Sequence, residues 1–339
     1  MTDVFIKSFN RPFYLDRCLQ SVEKFVRGNF KVTVLDDGTP EKYLDKIREK
    51  FPEAEIITSK NYSKKIAAIE ENLKSGKEIN GFEIPTDLWI DAAKNGSDYF
   101  IMTEDDVWFT QKINIIHLVT EMKKLDVSLL KLGWLGNLKD DENLEIESVS
   151  EQINSMFPKS LFLGNEGVMT AFFNNRYKFF TILFKLGLVD NYTQQKYWSL
   201  VSILMGLYKK EYWLQTWQKM DGKVDEKRQL INASSYYRNF RHNRNFLGRT
   251  KTEVMKTTFQ SSSTNSYHKY GDAFDVNIFN HQINEAWFKG DFNAMQNFPK
   301  DFTLEYFEQF LDEKIDKKEF RNWVANFRKH YREIGCNVQ

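Results

Sequence analysis

Three short apolar runs in the first 110 residues each end on a polar cluster, and this alternation limits the possible folds more than any other feature. Val4 to Lys7 runs into Ser8-Phe9-Asn10-Arg11, and Phe30, Val32 and Val34 alternate into Asp36-Asp37-Gly38-Thr39-Pro40. Tyr99 to Thr103 leads directly into Glu104-Asp105-Asp106. Helical patterns separate the runs. Pro12 suits the first turn of a helix that carries Leu15, Cys18, Leu19, Val22, Phe25 and Val26 at helical spacing. Ile56 and Ile57 suggest a further strand. Leu88, Ala92 and Ala93 suggest a helix ending at Asn95-Gly96, another helix is expected from about Thr110, and Ser128 to Leu132 is strand-like. Strand and helix in alternation predict an α/β fold, a mostly parallel central sheet flanked by helices.

The remainder is less regular. The aromatic-rich stretch from about Gly133 to Leu230 suggests helices around Arg176 to Leu186 and Tyr192 to Tyr208. Residues 232–271 are polar and read as a loop, long enough to suggest a lid. From about Asp275 the pattern turns helical again, with Phe320, Trp323, Val324, Phe327, Tyr331 and Ile334 on one face and Gly335 as a C-cap. The expected organisation is a catalytic domain over 1–230, a polar and basic lid over 231–274, and a helical C-terminal extension over 275–339. The terminal aromatic stripe is expected to be core, with membrane or dimer contact as the alternative.

Length and composition exclude whole classes. A chain of 339 residues can bury a full core, and 41% hydrophobic content is too high for a disordered chain. Lys plus Arg number 48 against 47 Asp plus Glu, a net charge of +1, so electrostatic recognition must be local. Cys18 and Cys336 stand far apart and form neither a disulfide framework nor a metal pair, as in a reducing compartment. The N-terminus carries no secretion signal and no window is apolar enough to span a membrane, so a cytoplasmic location is expected, with peripheral contact at the inner face of the membrane as the alternative. Neither G-x-G-x-x-G nor G-x-x-x-x-G-K-[ST] occurs, and H-E-x-x-H and G-x-S-x-G are missing too.

In open α/β sheets ligands bind beyond the carboxyl ends of the strands. The three polar clusters are therefore the candidate site. Three adjacent carboxylates repel one another unless a cation or solvent intervenes, and an oxygen-only site suits Mg²⁺ or Mn²⁺ together with substrate phosphates. Phe5-Ile6-Lys7-Ser8-Phe9-Asn10-Arg11-Pro12, Val34-Leu35-Asp36-Asp37-Gly38-Thr39 and Met102-Thr103-Glu104-Asp105-Asp106-Val107 resemble, in order, three signatures of GT-A glycosyltransferases of the family-2 type. The resemblance implies a nucleotide-sugar donor, with a UDP sugar favoured. Ser8, Asn10 or Arg11 and Asp36 or Asp37 would lie around the nucleoside. Glu104 to Asp106 would form the metal and diphosphate site. Its Glu-Asp-Asp form is similar to that of N-acetylglucosaminyltransferases, which makes Asp106 the principal metal ligand, with Glu104 and Asp105 supporting the ion or ribose.

Inverting transfer needs a base to deprotonate the acceptor hydroxyl. Asp190, 84 residues beyond the triplet, is the first candidate and Glu166, in Gly164-Asn165-Glu166-Gly167, the second. His268 resembles a late histidine that completes metal ligation in some members. Arg238, Arg241, His242, Arg244, Arg249 and Lys251, interleaved with Tyr237, Phe240 and Phe246, suit a lid that closes on diphosphate or a grip on single-stranded nucleic acid. The reading is a metal-dependent transferase acting on a glycan or glycolipid hydroxyl in bacterial surface polysaccharide synthesis. A sugar nucleotidyltransferase and a non-catalytic glycan- or nucleic-acid-binding protein are the alternatives.

Overall fold

The computed structural model describes residues 1–77, 83–136, 142–202, 204–262, 274–333 and 335–338. Its strands are β1 (Thr2–Ser8), β2 (Val26–Arg27), β3 (Phe30–Asp36), β4 (Ala54–Thr58), β5 (Tyr99–Glu104), β6 (Val107–Phe109), β7 (Ile113–Asn114), β8 (Leu129–Lys131), β9 (Leu144–Ser148), β10 (Ile153–Pro158), β11 (Gly206–Lys209), β12 (Leu247–Thr250) and β13 (Met255–Thr257). Nine of them form one sheet in the order β4-β3-β1-β5-β11-β8-β12-β10-β9. The half from β4 to β5 is wholly parallel, and only β11 and β10 run against the other strands. Helices α1 (Pro12–Phe25), α4 (Thr86–Asn95) and α5 (Ile115–Leu125) match the helical patterns of the sequence, and α2 (Glu41–Lys50) and α3 (Tyr62–Ser75) are added after β3 and β4. This is the expected α/β architecture.

The sheet is covered on both faces, which is why β1 is almost continuously buried instead of alternating. On one face Val4, Ile6, Val34, Ile101 and Leu130 meet α1, α5 and the C-terminal helices. On the other, Phe5, Leu35, Phe100, Met102 and Leu129 meet α4 and the helices Glu166–Phe173, Lys210–Thr216 and Glu226–Tyr237. The C-terminal extension is an integral part of the first layer. Phe13 packs edge-on against Phe292 and Phe307, and the buried Arg17 guanidinium donates to the carbonyls of Ala294 (3.0 Å), Gln296 (3.1 Å) and Lys300 while lying over Trp108 and Phe302. Of the stripe, Phe320, Trp323, Val324 and Phe327 are buried and Tyr331 is half-buried, so this part is core, while Ile334 lies outside the described residues.

Two spans differ from expectation. Residues 231–262, the described part of the expected lid apart from Phe274, are not a loop: the helix Glu226–Tyr237 enters them, β12 lies inside the sheet between β8 and β10, and β13 pairs with β6. The sequence Leu-Gly-Arg-Thr has no alternation to betray a strand, and its pairing with β8 and β10 decides its conformation. Tyr192 to Tyr208 is not one helix but two short turns, Thr193–Lys196 and Tyr197–Leu200, followed by β11. Gly206 opens that strand with the Tyr208 ring lying across it.

The extension is also fixed by Asp301, buried against α1, which accepts hydrogen bonds from Tyr14 (3.1 Å), Thr258 and the Phe302 N–H (2.7 Å). Burial pushes its carboxyl up to about 6 despite the nearby Arg17. Between about pH 4 and that value the folded chain holds a proton that the unfolded chain has released, so the Asp301 contribution to stability falls as pH rises, by up to about 3 kcal/mol in total. Urea unfolding of wild type and Asp301→Asn across about pH 4 to 7 should show the wild type losing stability relative to the variant by roughly that amount. A constant difference would mean that Asp301 is ionised throughout.

Candidate functional site

The site is built where β1, β3 and β5 end side by side. Register pairs Ser8 with Asp36 and Lys7 with Glu104, so the three polar clusters share one edge of the sheet. The chain leaves β1 through Asn10, which takes a left-handed backbone (φ +51°) that Asn tolerates better than most residues, and Arg11 then occupies the N-cap of α1.

The acidic triplet is partly neutralised by the chain's own cations. Arg11 donates to Asp105 (2.5 Å) and Asp106 (2.8 Å), and Lys7 to Glu104 (2.6 Å) while lying 4.7 Å over the Trp89 ring. Asp105 also accepts from the Phe9 N–H (3.3 Å) and is fully enclosed, whereas Glu104 and Asp106 reach the surface. Burial opposes the Arg11 charge, yet Asp105, Asp106 and Glu104 together hold its proton more tightly than usual. Burial pushes Asp105 up to about 7 and raises Asp106, each against the pull of Arg11. Lys7 was not among the residues expected here: it lies 97 residues from Glu104 along the chain, and only the pairing of β1 with β5 brings the two together.

The second cluster divides its roles. Asp36 is wholly buried and accepts from the N–H groups of Gly38 (3.0 Å) and Thr39 (2.8 Å) and from the Thr39 hydroxyl (2.6 Å), so it clamps its own turn. Asp37 pairs with the buried Lys65 of α3, while burial raises its carboxyl. Gly38 has φ +153°, and a Cβ there would lie 2.8 Å from the Phe9 ring, so glycine lets the first and second clusters touch. The C-terminal extension reaches the same place. Asn284, buried on the helix Val276–Lys289, donates to the backbone and side-chain oxygens of Asn10 (3.1 Å each). The run Asn277, Asn280 and Asn284 among buried apolar neighbours was its signal in the sequence.

Ser8, Asn10, Arg11, Asp36, Asp37, Glu104, Asp105 and Asp106 thus come together. Glu166 and Asp190 have no hydrogen bond or ion pair to them among the described residues. Glu166 opens the helix Glu166–Phe173 at the surface, where Lys219 (2.5 Å) and Arg228 (2.7 Å) hold its carboxyl below the usual range. Asp190 is exposed. A slight desolvation cost there is outweighed by the Thr193 hydroxyl, the Tyr192 N–H and Lys196, which keep its carboxyl low. His268 lies outside the described residues. In the basic stretch Arg244 pairs with Glu145 (2.6 Å) and Arg249 lies over Trp134.

Among the described residues no three His, Cys, Asp or Glu side chains are grouped as a ready-made metal cage. The donor chemistry nevertheless fits a cation that is shared with a ligand. Asp106 Oδ1 is buried without a hydrogen-bond partner, and two basic groups face three carboxylates, leaving one negative charge. A cleft of about 360 Å³ lined by Leu73, His281, Glu285, Lys289 and Phe310 lies between α3 and the C-terminal helices and includes none of these strand-end residues.

No family model and no curated protein matches the sequence. Among solved structures the chain is similar to residues 1–349 of S. aureus TarS in complex with UDP-GlcNAc, at 13% identity over 98% of this chain and 92% of that one, with a TM-score of 0.46. It is similar to the longer TarS structure at 12% identity over 99% of this chain, with a TM-score of 0.42, and spans 55% of that chain, about half its length. The galactosyltransferase LgtC in complex with donor and acceptor sugar analogues matches at 15% identity over 68% of this chain and 70% of that one, with a TM-score of 0.32. Likeness of this extent assigns the chain neither a substrate nor residue roles.

Removing the cation that the enclosed Asp105 and the half-buried Asp106 share leaves both uncompensated. Arg11→Ala should therefore cost about 3–5 kcal/mol in denaturant unfolding. Arg11→Lys should recover only part, because an ammonium lacks the planar fork that spans Asp105 and Asp106. Asp106→Asn, which leaves the Arg11–Asp105 pair, should cost no more than about 2 kcal/mol. Equal losses from Arg11→Ala and Asp106→Asn would contradict the shared-cation account.

Proposed function

We propose that the chain is a glycosyltransferase that moves a sugar from a nucleotide-sugar donor, a UDP sugar first among them, to a glycan hydroxyl, with inversion. The observation that carries the reading is the convergence of three motif segments, up to 97 residues apart, on one edge at the carboxyl ends of parallel strands. In this reading Ser8, Asn10 and Asp37 line the nucleoside side, and Asp36 and Gly38 hold the turn that presents it. Arg11 and Lys7 keep the acidic triplet charged and oriented. Mn²⁺ or Mg²⁺ held by Asp106 and Glu104 would supply charge neutralisation at the leaving diphosphate.

Asp190 is the proposed base, with Glu166 second. A base for a sugar hydroxyl works best with a proton affinity near the operating pH, and both carboxyls are held low by basic neighbours. Acceptor binding must therefore displace Lys196 from Asp190, or Lys219 and Arg228 from Glu166, before either serves. Surface polysaccharide or a glycolipid is the acceptor class of this reading.

The test is nucleotide release from UDP, GDP and dTDP sugars with and without Mn²⁺ and glycan acceptors. Metal-dependent release of UDP is expected, and Asp106→Asn should lower turnover by about a hundredfold or more with the fold intact. Formation of a nucleoside triphosphate and a sugar 1-phosphate when pyrophosphate is added would point to a nucleotidyltransferase, and no turnover of any donor would point to a binding protein. Asp190→Asn should lower kcat by about a hundredfold with donor binding unchanged. Loss of donor binding instead would remove Asp190 from the base role and leave Glu166.

A further inference from the structure

Ten large apolar side chains are exposed among the described residues, and six lie within one segment: Tyr177, Ile182, Phe184, Leu186, Leu188 and Tyr192. A soluble surface scatters such residues singly, so their concentration here calls for a reason. Tyr177 is 80% exposed, Leu186 and Leu188 66% and Tyr192 64%, which marks a protruding crest and not a groove. The crest has a firm base. Leu183 and Val189 are buried in the core on that face of the sheet, Phe180 packs against Phe172, and Asn175 holds Thr181 through backbone and side-chain hydrogen bonds.

Its backbone is internally satisfied at the tip. The helix Phe179–Lys185 ends with Gly187 in the left-handed region (φ +68°), the Gly187 N–H donating to Phe184 (3.0 Å) and the Leu188 N–H to Leu183 (3.0 Å). With the Leu186 N–H donating to Ile182 (3.1 Å), these bonds occupy the carbonyls of Ile182, Leu183 and Phe184. A tip closed in this way can leave water for an apolar medium without stranding those groups. Arg176, Lys178 and Lys185 flank the apolar tip and make no ion pair among the described residues, and the Arg176 guanidinium lies 5.0 Å from the Tyr177 ring centre. The one carboxylate in the segment, Asp190, is engaged by Lys196.

We propose that this crest, residues 176–192, seats the protein on an anionic bilayer surface, with Ile182, Phe184, Leu186 and Leu188 entering the headgroup and acyl boundary. Tyr177 and Tyr192 sit at the interface, and Arg176, Lys178 and Lys185 face anionic headgroups. Charge selects this occupant: a second copy would bring the same three cations against these, whereas an anionic surface complements them. No helix among the described residues is long and apolar enough to cross a membrane, so the contact is peripheral. The strand-end cluster lies outside the crest, and although Asp190, the proposed base, falls within its bounds, vesicle binding requires no turnover, so the inference stands without the proposed activity.

The experiment is co-sedimentation of the full chain with vesicles of phosphatidylcholine alone and with about 30% phosphatidylglycerol, without nucleotide, at low and high salt. Binding to the anionic vesicles, reduced by salt and weak on neutral ones, is expected. Leu186→Ser with Leu188→Ser should weaken it by about tenfold or more, and Lys178→Ala with Lys185→Ala by about fivefold per charge. Because these side chains are exposed, unfolding midpoints should not move; if the leucine variant fails to fold, Ile182→Ser with Tyr177→Ser replaces it. The proposal is overturned if anionic vesicles are not bound or if the variants bind like wild type. It is also overturned if the chain is a dimer that the leucine variant splits, which would assign the crest to a second copy.

Discussion

Arg11 is the interaction on which the strand-end region depends. Two adjacent aspartates taken out of water at one point repel each other and resist ionisation, and a single planar guanidinium bonded to both supplies the compensation. Its position follows from chain geometry. Asn10 turns the backbone in the left-handed region, Arg11 caps α1, and α1 is welded to the extension through Arg17 and Tyr14. A change anywhere along that line moves the guanidinium relative to the carboxylates.

The same reasoning explains why the C-terminal segment is part of the site and not an accessory. Asn284 holds both oxygens of Asn10, the residue whose turn delivers Arg11. Lys42 and Tyr43 of α2 meet Glu285 one residue further along the same helix, and Trp287 donates to Asp16 of α1 (2.8 Å). Three elements that follow or cover β1 and β3 are thus tied to one helix. Deleting the extension would expose the aromatic faces of α1 and release the turn at Asn10 together.

The main sheet strands of the first 130 residues were legible because burial on two sheet faces imposes apolar runs with turn residues after them, as at Val4 to Ser8 and Tyr99 to Glu104, whereas α2, α3 and the two- and three-residue strands β2, β6 and β7 were not read. Beyond there, short strands are held by partners distant in sequence, and Leu247–Thr250 carries no local pattern of its own. The meeting of the three polar clusters was legible for the same reason as the strands: each lies directly after one. Their pairing was not. The triplet suggested an external cation, and nothing local shows that Lys7 and Arg11 lie within bonding distance of it. Carboxylates sought at a fixed distance along the chain, Asp190 and Glu166, came to exposed ion pairs, because spacing in sequence carries no direction in space.

The aromatic surplus, 29 Phe, 15 Tyr and 8 Trp, includes the terminal stripe, expected to be core with membrane or dimer contact as the alternative. Packing decides for the core. A stripe at helical spacing is a face that a neighbouring layer can cover, and Phe320, Trp323, Val324 and Phe327 are covered by Phe274, Phe279, Phe307 and Phe259. Apolar residues around a short, sharply closed helix present several directions at once, and no single layer can cover them all. Leu183 turns inward while Ile182, Phe184 and Leu186 cannot, so folding alone leaves the crest in water. Its cations lie on the same protrusion, and a flat anionic interface is the surface that meets both demands in one contact.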